Sequence, residues 1–501
     1  MSSARAAALD SSAVASSELD ESAQLLALRS EAHDEDNHEA TTALFGNVSW
    51  RLILAAAVTS LGPTHFGASL AYSSPAERSL RCDAPDAQAE MCKLNGAQFA
   101  VFASINSLGC AVGTVLAAPL SSKLGRAAAL RVASIPGVLG WATLAMASHV
   151  WSLYAARFFL GMFTGAVAAV SPAYLVEIAP LRIRGFIGAS CQIGITVGIL
   201  LFYILGMRTF NLSWRALARC GLALDLVFLV LSPLFMPESP SWLAKVKRDH
   251  TAAAESLRRL GRERESICSS MGDDNEDNDR CDDHAEPACT NPLALLRPPL
   301  LYPLRIAAAF ALFQQLSGIN AVVSFTDRIF VNAGVKNADQ GVVLVGVLQV
   351  LATIAACFSI EKFGRRALLT TMPMMQAIAS ILLAAAFYLP SAHTLAVLAC
   401  CLYIIAFNCG VGPLPWLLNA ELFPEYARAM SGSFLSLIGW LCSYTVIASF
   451  EALTSWIGTS GTFVAYGAVC ACASLFAFIF LPETRGRSSA EILDLLTVTN
   501  S

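Results

Sequence analysis

Two stretches of this chain run without a charged side chain for far longer than a water-soluble fold would leave them. Leu52 to Tyr72 contains no Lys, Arg, Asp or Glu, and neither does Ala367 to Tyr403. About 20 consecutive apolar residues suffice to cross the hydrocarbon core of a bilayer. The second stretch therefore holds most of two crossings, divided at the Leu389-Pro390-Ser391 turn. Such runs confine the chain to an all-α membrane fold.

The rest of the sequence agrees. Of its 501 residues 55% are hydrophobic and only 14% charged, against about 25% charged in a typical soluble domain. The net charge of −4 carries little information, because the acids sit in tails and loops. No basic patch suggests nucleic acid. Twelve apolar spans can be marked: 52–72, 96–118, 129–149, 152–173, 187–207, 216–236, 305–326, 341–360, 367–389, 394–417, 430–452 and 462–481. Residues 1–49, rich in Ala, Ser and Glu, read as a disordered tail without the basic start and apolar core of a signal peptide. Residues 237–304 form a long linker. Within it Thr251 to Leu260 has the pattern of a surface helix, and the acidic run from Asp273 reads as a disordered insert. Residues 482–501 are a short C-tail.

An even number of spans places both termini on one side. With the termini inside, most Lys and Arg fall in inside loops, among them Arg126, Arg184, Arg365, Arg366 and Arg428. The outside keeps fewer, such as Arg78 and Arg208, with Arg215 and Arg219 as the main exceptions. The positive-inside rule thus favours cytosolic termini. Most of the fifteen cysteines lie inside apolar segments as small core residues. Cys82 and Cys92 sit instead in the first polar loop, where an outside location would permit a disulfide.

One motif occurs twice. Pro237-Glu238-Ser239 follows the sixth span, and Pro482-Glu483-Thr484 follows the twelfth. Likewise Leu124-Gly125-Arg126 follows the second span, and Phe363-Gly364-Arg365-Arg366 the eighth. Charges at matching places mean that one six-helix unit is used twice, as in transporters built from internal repeats. The two halves are then 50–236 and 305–481.

With these motifs the chain resembles the sugar porter family of the major facilitator superfamily over residues 50–495. The resemblance is carried by Arg157 with Gly161, by Pro172, Tyr174, Glu177 and Pro180 with Arg184 and Gly185, and by Gln314-Gln315 with Gly318 and Asn320. Glu361 with Gly364-Arg365-Arg366, and Gly412-Pro413 with Pro415-Trp416, Glu421, Pro424 and Arg428, complete it. The stretch Phe66 to Pro75 is similar to the first span of class III glucose transporters and of insect trehalose and plant monosaccharide relatives. Glu21 with Leu25-Leu26 resembles an acidic dileucine signal, which would engage a sorting adaptor and address the protein to endosomes or lysosomes rather than the plasma membrane.

The resemblance implies roles for residues. Arg126, Glu177, Arg184, Glu238, Glu361, Arg365, Glu421, Arg428 and Glu483 would form a cytosolic salt-bridge network that biases two states. Positive-inside anchoring alone explains the arginines but not the glutamates. The first-half Gly-Arg motif departs from the family, since Ala127 stands where a second Arg is usual and the preceding stretch Ser121-Ser122-Lys123 lacks the usual acid.

A sugar presents many hydroxyls, each donor and acceptor, and neutral amides match both roles. Gln192, Gln314, Gln315, Asn320 and Gln349 stand at family positions for this task, and Trp416 would cover the ring. Gln314, Gln315 and Asn320 share a broad helix face by their spacing. For a lone amide in a span, interhelical hydrogen bonding is the competing reading. Phe325 and Trp440 would be gate aromatics. Ser324 and Phe325 replace the usual Tyr pair, and Gly439-Trp440 replaces Asn-Trp.

Proton-coupled members carry an Asp in the first span where Ser69 stands here, which favours facilitated diffusion. Asp225 in the sixth span and Asp327 beside Arg328 remain possible coupling acids, because membrane-embedded acids are expensive and often functional. His65 in the first span is a further candidate, with a hydrogen-bonded core histidine as the alternative. The function implied is hexose transport by alternating access without a cofactor. A proton-linked sugar, polyol or disaccharide porter is the alternative, and a non-transporting sugar sensor the reading from another class. Nothing in the motifs suggests an enzyme.

Overall fold

A computed structural model describes residues 49–80, 94–180, 183–262, 295–298, 300–389, 393–485, 487, 491 and 492. Glu21, Leu25, Leu26, Cys82, Cys92 and the acidic insert lie outside the described residues, as does the side chain of Glu361.

The described chain is helical. The first group comprises α1 (Trp50–Ala71), α2 (Ser73–Leu80), α3 (Gly96–Leu124), α4 (Arg126–Met146), α5 (Val150–Ile178), α6 (Arg184–Leu205) and α7 (Trp214–Phe235). Two short helices follow, α8 (Pro240–Lys245) and α9 (His250–Leu260). The second group comprises α10 (Leu301–Leu316), α11 (Ile319–Asn332), α12 (Ala338–Phe363), α13 (Arg365–Ala386), α14 (His393–Cys409), α15 (Leu414–Leu422) and α16 (Glu425–Phe480).

Local chemistry sets the helix starts. Asn95 and Gln98 form a reciprocal capping box at α3, and the Ser213 hydroxyl accepts from Ala216 N–H at α7. Each bond satisfies a backbone donor that has no partner within the helix.

Ten described segments are long and apolar enough to cross a membrane: α3 to α7, α10 with α11, α12, α13, α14 with α15, and α16. α16 is 56 residues long and is broken at Gly458 (φ 76°, ψ 162°). α1 has 22 residues, or about 33 Å at 1.5 Å per residue.

Helices α1 and α3 to α7 pack on one another, and α10 to α16 form a second bundle. The bundles meet through α3 and α16, α6 and α12, and α11 against α1 and α2. Within the first bundle α3 and α5 approach backbone to backbone. A Cβ at Gly109 would fall 2.1 Å from the Phe158 carbonyl oxygen, and one at Gly161 2.0 Å from that of Asn106. Without a hydrophobic drive between helices in lipid, such close contact supplies the attraction.

The face carrying Ser49 and Gly261 is called the terminal face below, and the other the opposite face. The stretch expected as a surface helix is α9, and its Ala253, Leu257 and Leu260 are buried. It is tied to the first bundle, because Ser256 Oγ donates to the Glu238 carbonyl at 2.5 Å and Arg262 to that of Ile178 at 2.9 Å.

Candidate functional site

Two crossings of the second bundle are interrupted, and the breaks lie beside each other. The first crossing breaks between α10 and α11, where Gly318 takes φ +88° and a Cβ would meet the Tyr466 ring at 2.4 Å. The other breaks between α14 and α15, over 410–413, where the Gly410 and Pro413 carbonyls keep backbone partners. Irregular backbone at membrane depth persists only where buried partners satisfy it. Gln314 is such a partner: its Nε2 donates to the Val411 and Gly412 carbonyls, both at 2.8 Å.

From there the amides hand hydrogen bonds along. Gln315 Nε2 donates to Gln314 Oε1 at 3.2 Å, and Asn320 Nδ2 donates to Gln315 Oε1 at 2.6 Å and to Ser443 Oγ at 2.8 Å. Ser443 Oγ lies 3.1 Å from Ser107 Oγ on α3, in the other bundle. Gln314 and Gln315 are only 7% and 8% exposed. The chain of donors and acceptors joins both helix breaks to the bundle interface.

The expected amides thus divide. Gln314, Gln315 and Asn320 come together. Gln192 sits half-buried on α6, and Gln349 is buried on α12 with its Oε1 lacking a partner. Neither shares a hydrogen bond with the cluster among the described residues. Trp416 on α15 is 45% exposed. Gly439 lies against the cluster, since a Cβ there would be 3.9 Å from Gln315 Nε2.

The two gate aromatics are enclosed. Trp440 Nε1 donates to Thr114 Oγ1 at 3.1 Å, and its ring is 5.6 Å from Phe66, so it bridges the bundles. Phe325 is fully buried, stacked on Phe450 at 4.8 Å and edge-on to Phe99 of the first bundle at 6.0 Å. Its backbone leaves the helical region (φ −124°, ψ 18°).

On the terminal face the duplicated motif becomes a duplicated structure. Glu238 accepts from the Ala127 and Ala128 N–H groups at 3.0 and 3.1 Å, at the start of α4. Glu483 accepts from the Arg365 and Arg366 N–H groups at 3.0 and 3.3 Å, at the start of α13. Each carboxylate meets unsatisfied donors and the positive end of a helix dipole. Arg126 bonds Glu177 at 3.3 Å, and Arg365 bonds Glu421 at 2.9 Å. The second oxygen of each glutamate accepts a hydroxyl, from Ser239 in the first half and from Thr484 at 2.5 Å in the second. Arg428 donates to the Phe423 carbonyl at 3.4 Å, and Arg184 begins α6 on the same face.

The motif glycines follow from this geometry. Gly125 and Gly364 have φ +100° and +82°, and a Cβ at Gly125 would fall 2.4 Å from the Glu238 carboxyl carbon. The bonds just described close within each bundle. The capping contact at Ala127 is made by backbone N–H, so it needs no second Arg there. The Arg366 side chain bonds the Phe478 carbonyl at 2.8 Å, and Arg131, one turn later in the first copy, takes the Ser232 and Met236 carbonyls.

Charges that do cross between bundles lie on the opposite face. Glu77-Arg78 of α2 faces Asp327-Arg328 of α11. Arg78 is 3.3 Å from Asp327, and Arg328 is 3.4 Å from Glu77 while also pairing with Glu451. Asp327 N–H donates to Ser74 Oγ at 3.2 Å. Arg208 adds a pair with Asp339 at 3.5 Å. Asp327 therefore pairs across the interface and not with its neighbour Arg328. Sequence reasoning missed this arrangement, though a signal existed: two acid-base dipeptides stand after the first spans of the two halves.

Two remaining polar groups of the first bundle meet each other. His65 Nδ1 is 2.7 Å from Asp225 Oδ1, with side chains 1% and 0% exposed. Arg157 is fully buried and donates to the Ser69 carbonyl at 2.6 Å and Ser73 Oγ at 3.0 Å.

Comparison with known proteins accords with this geometry. The family described as "Sugar (and other) transporter" matches residues 49–496. The chain is 32% identical over 468 residues to the mouse "Solute carrier family 2, facilitated glucose transporter member 8", covering 88% of this chain and 94% of that one. It is 31% identical over 454 residues to the Aedes aegypti "Facilitated trehalose transporter Tret1", covering 88% and 55%. In fold it is similar to the xylose transporter XylE from E. coli in a partially occluded inward open conformation. There the TM-score is 0.73 at 24% identity, covering 88% of this chain and 100% of that one.

Proposed function

The chain belongs to the sugar transporter family of the major facilitator superfamily, and from that premise we propose that it moves a hexose-type sugar across a membrane by alternating access. It is a transporter and not an enzyme. Movement is down the sugar's own gradient, since Ser69 stands where coupled relatives carry an Asp. The observation that carries the site is the chain of amides from Gln314 to Asn320 bridging two broken helices. Discontinuous helices at a bundle interface are where transporters place their substrates.

Twelve spans follow if α16 is two crossings folded at Gly458 and α1 is another. The positive-inside distribution then puts the terminal face in the cytosol. The opposite face is the outer one, and Phe325 with the crossed ion pairs closes it. The glutamate-arginine groups of the terminal face each rest within their own half. They exchange partners when the halves close inside, and an exchange of a few kcal/mol is enough to bias two states. Gln192, Gln349 and Trp416 complete the sugar contacts in that movement. Glu21, Leu25 and Leu26 would direct the protein to an endosomal or lysosomal membrane through an adaptor.

Uptake of labelled hexose into proteoliposomes tests the proposal. Gln314→Ala should weaken sugar binding about tenfold or more, as expected when buried carbonyls and a hydroxyl each lose a donor worth about 1–3 kcal/mol. Wild-type affinity in a variant that reaches the membrane normally would refute the assignment.

A further inference from the structure

We propose that His65 and Asp225 form a proton-binding site inside the first bundle, and that its occupancy sets the rate of sugar exchange. The inference rests on the sugar-transport reading, but the site is separate from the amide cluster and both gates.

The pair lies where α1, α4, α5 and α7 meet. His65 Nδ1 and Asp225 Oδ1 are 2.7 Å apart and His65 Nε2 is 3.3 Å from the Leu160 carbonyl, while Phe163 packs on the imidazole at 4.5 Å. Gly137 shuts the remaining side, since a Cβ there would fall 2.7 Å from Asp225 Oδ2. Other ionisable groups on these helices point elsewhere. Arg157 is held by Ser69 and Ser73, Arg131 by Ser232 and Met236, and the Tyr72 hydroxyl by the Trp214 carbonyl.

The proton count follows from this enclosure. With one dissociable proton the pair is imidazolium beside carboxylate, or imidazole beside carboxylic acid. Both are neutral overall and differ by moving one proton along the 2.7 Å line. Without that proton the site holds one negative charge with nothing to balance it, and an unpaired buried charge is costly. The enclosure suits the loaded forms.

One detail fits a site where the proton moves rather than a fixed salt bridge. Trp141 Nε1 also points at His65 Nδ1, at 3.2 Å, but that nitrogen carries one proton or one lone pair and Asp225 Oδ1 at 2.7 Å claims it in both loaded forms, so the detail lies with the other carboxylate oxygen. Asp225 Oδ2 is buried without a hydrogen-bond partner. Buried carboxylate oxygens are usually satisfied, and a protonated acid demands less of that atom.

The position links the proton to transport. α1 carries Phe66 against Trp440 and Ser69, which donates to Asn106 at 2.9 Å. Its continuation carries Ser74, Glu77 and Arg78 to the second bundle. The attraction between α1 and α7, which the proton sets, therefore acts on the helix that makes the outer closure.

The test uses the full-length protein in proteoliposomes. Equilibrium exchange of labelled glucose is followed from about pH 5 to 8, the range in which histidine titrates, in wild type, His65→Gln and Asp225→Asn. The wild-type rate should change across the range, and both variants should lose that dependence while still exchanging sugar. Infrared difference spectra on pH change, which need no transport, should show a protonated-carboxyl C=O band that disappears in Asp225→Asn. If Asp225→Asn does not fold, His65→Gln decides by the same two measurements. A pH-independent wild-type rate, or a wild-type pH profile and unchanged spectrum in the variants, would overturn the proposal. Absence of uptake of any sugar with the band present would defeat the transport reading and leave the proton site standing.

Discussion

Glu238 and Glu483 show how a single residue can serve two tasks. Each carboxylate sits over the first N–H groups of a helix, α4 or α13, where it meets both unpaired donors and the dipole. Each is followed by a hydroxyl that bonds the neighbouring glutamate, Glu177 or Glu421. Glu483→Gln keeps the shape and removes the charge. Its cost should be about 0.3–1 kcal/mol of stability, read as a small fall in unfolding midpoint in detergent. Gly125→Ala should cost more, about 1–3 kcal/mol, because it combines a positive φ with a Cβ driven into the Glu238 carboxylate. Equal stabilities for the two variants would contradict this account of the motif.

At the scale of elements, the breaks at Gly318 and between α14 and α15 matter more than any complete helix. They release carbonyls that Gln314 takes up, and so fix where the amides gather. Gly318→Ala removes the residue that tolerates φ +88° and presses on Tyr466. It should displace Asn320 relative to Gln314 and weaken sugar binding at least as much as Gln314→Ala, measured by labelled-sugar binding in detergent. The breaks were partly legible in the sequence: Gly412, Pro413 and Pro415 announce the second, and Gly318 the first. The amide spacing also placed Gln314, Gln315 and Asn320 on one face. Ser107 and Ser443, which extend the chain to the other bundle, carry no signal, since serine is common on any small-residue helix face.

For the whole molecule, the distribution of ion pairs defines the state. Arg78–Asp327, Arg328–Glu77 and Arg208–Asp339 join the halves on the opposite face, while the terminal-face groups close within halves. Partly buried pairs are worth more than the about 0–1 kcal/mol of exposed ones. Arg328→Ala removes two partners at once, and a loss of about 1.4 kcal/mol would raise the population open on that face about tenfold. Spin-label distances between the ends of α2 and α11 should lengthen in this variant. An unchanged distribution would mean that Phe325 and its aromatic neighbours hold the closure alone.

The sequence by itself determined that the chain is a membrane helix bundle, that one unit is repeated, and that Gln314, Gln315 and Asn320 share a helix face. These follow from hydrophobic length, charge placement and short-range spacing, all properties of neighbouring residues. Only the tertiary structure decided that His65 meets Asp225, that Asp327 pairs with Arg78 and not with Arg328, and that the glutamate-arginine groups close within their halves. Those pairings join helices far apart in the chain, and a buried charge takes the partner that packing brings within a few ångströms.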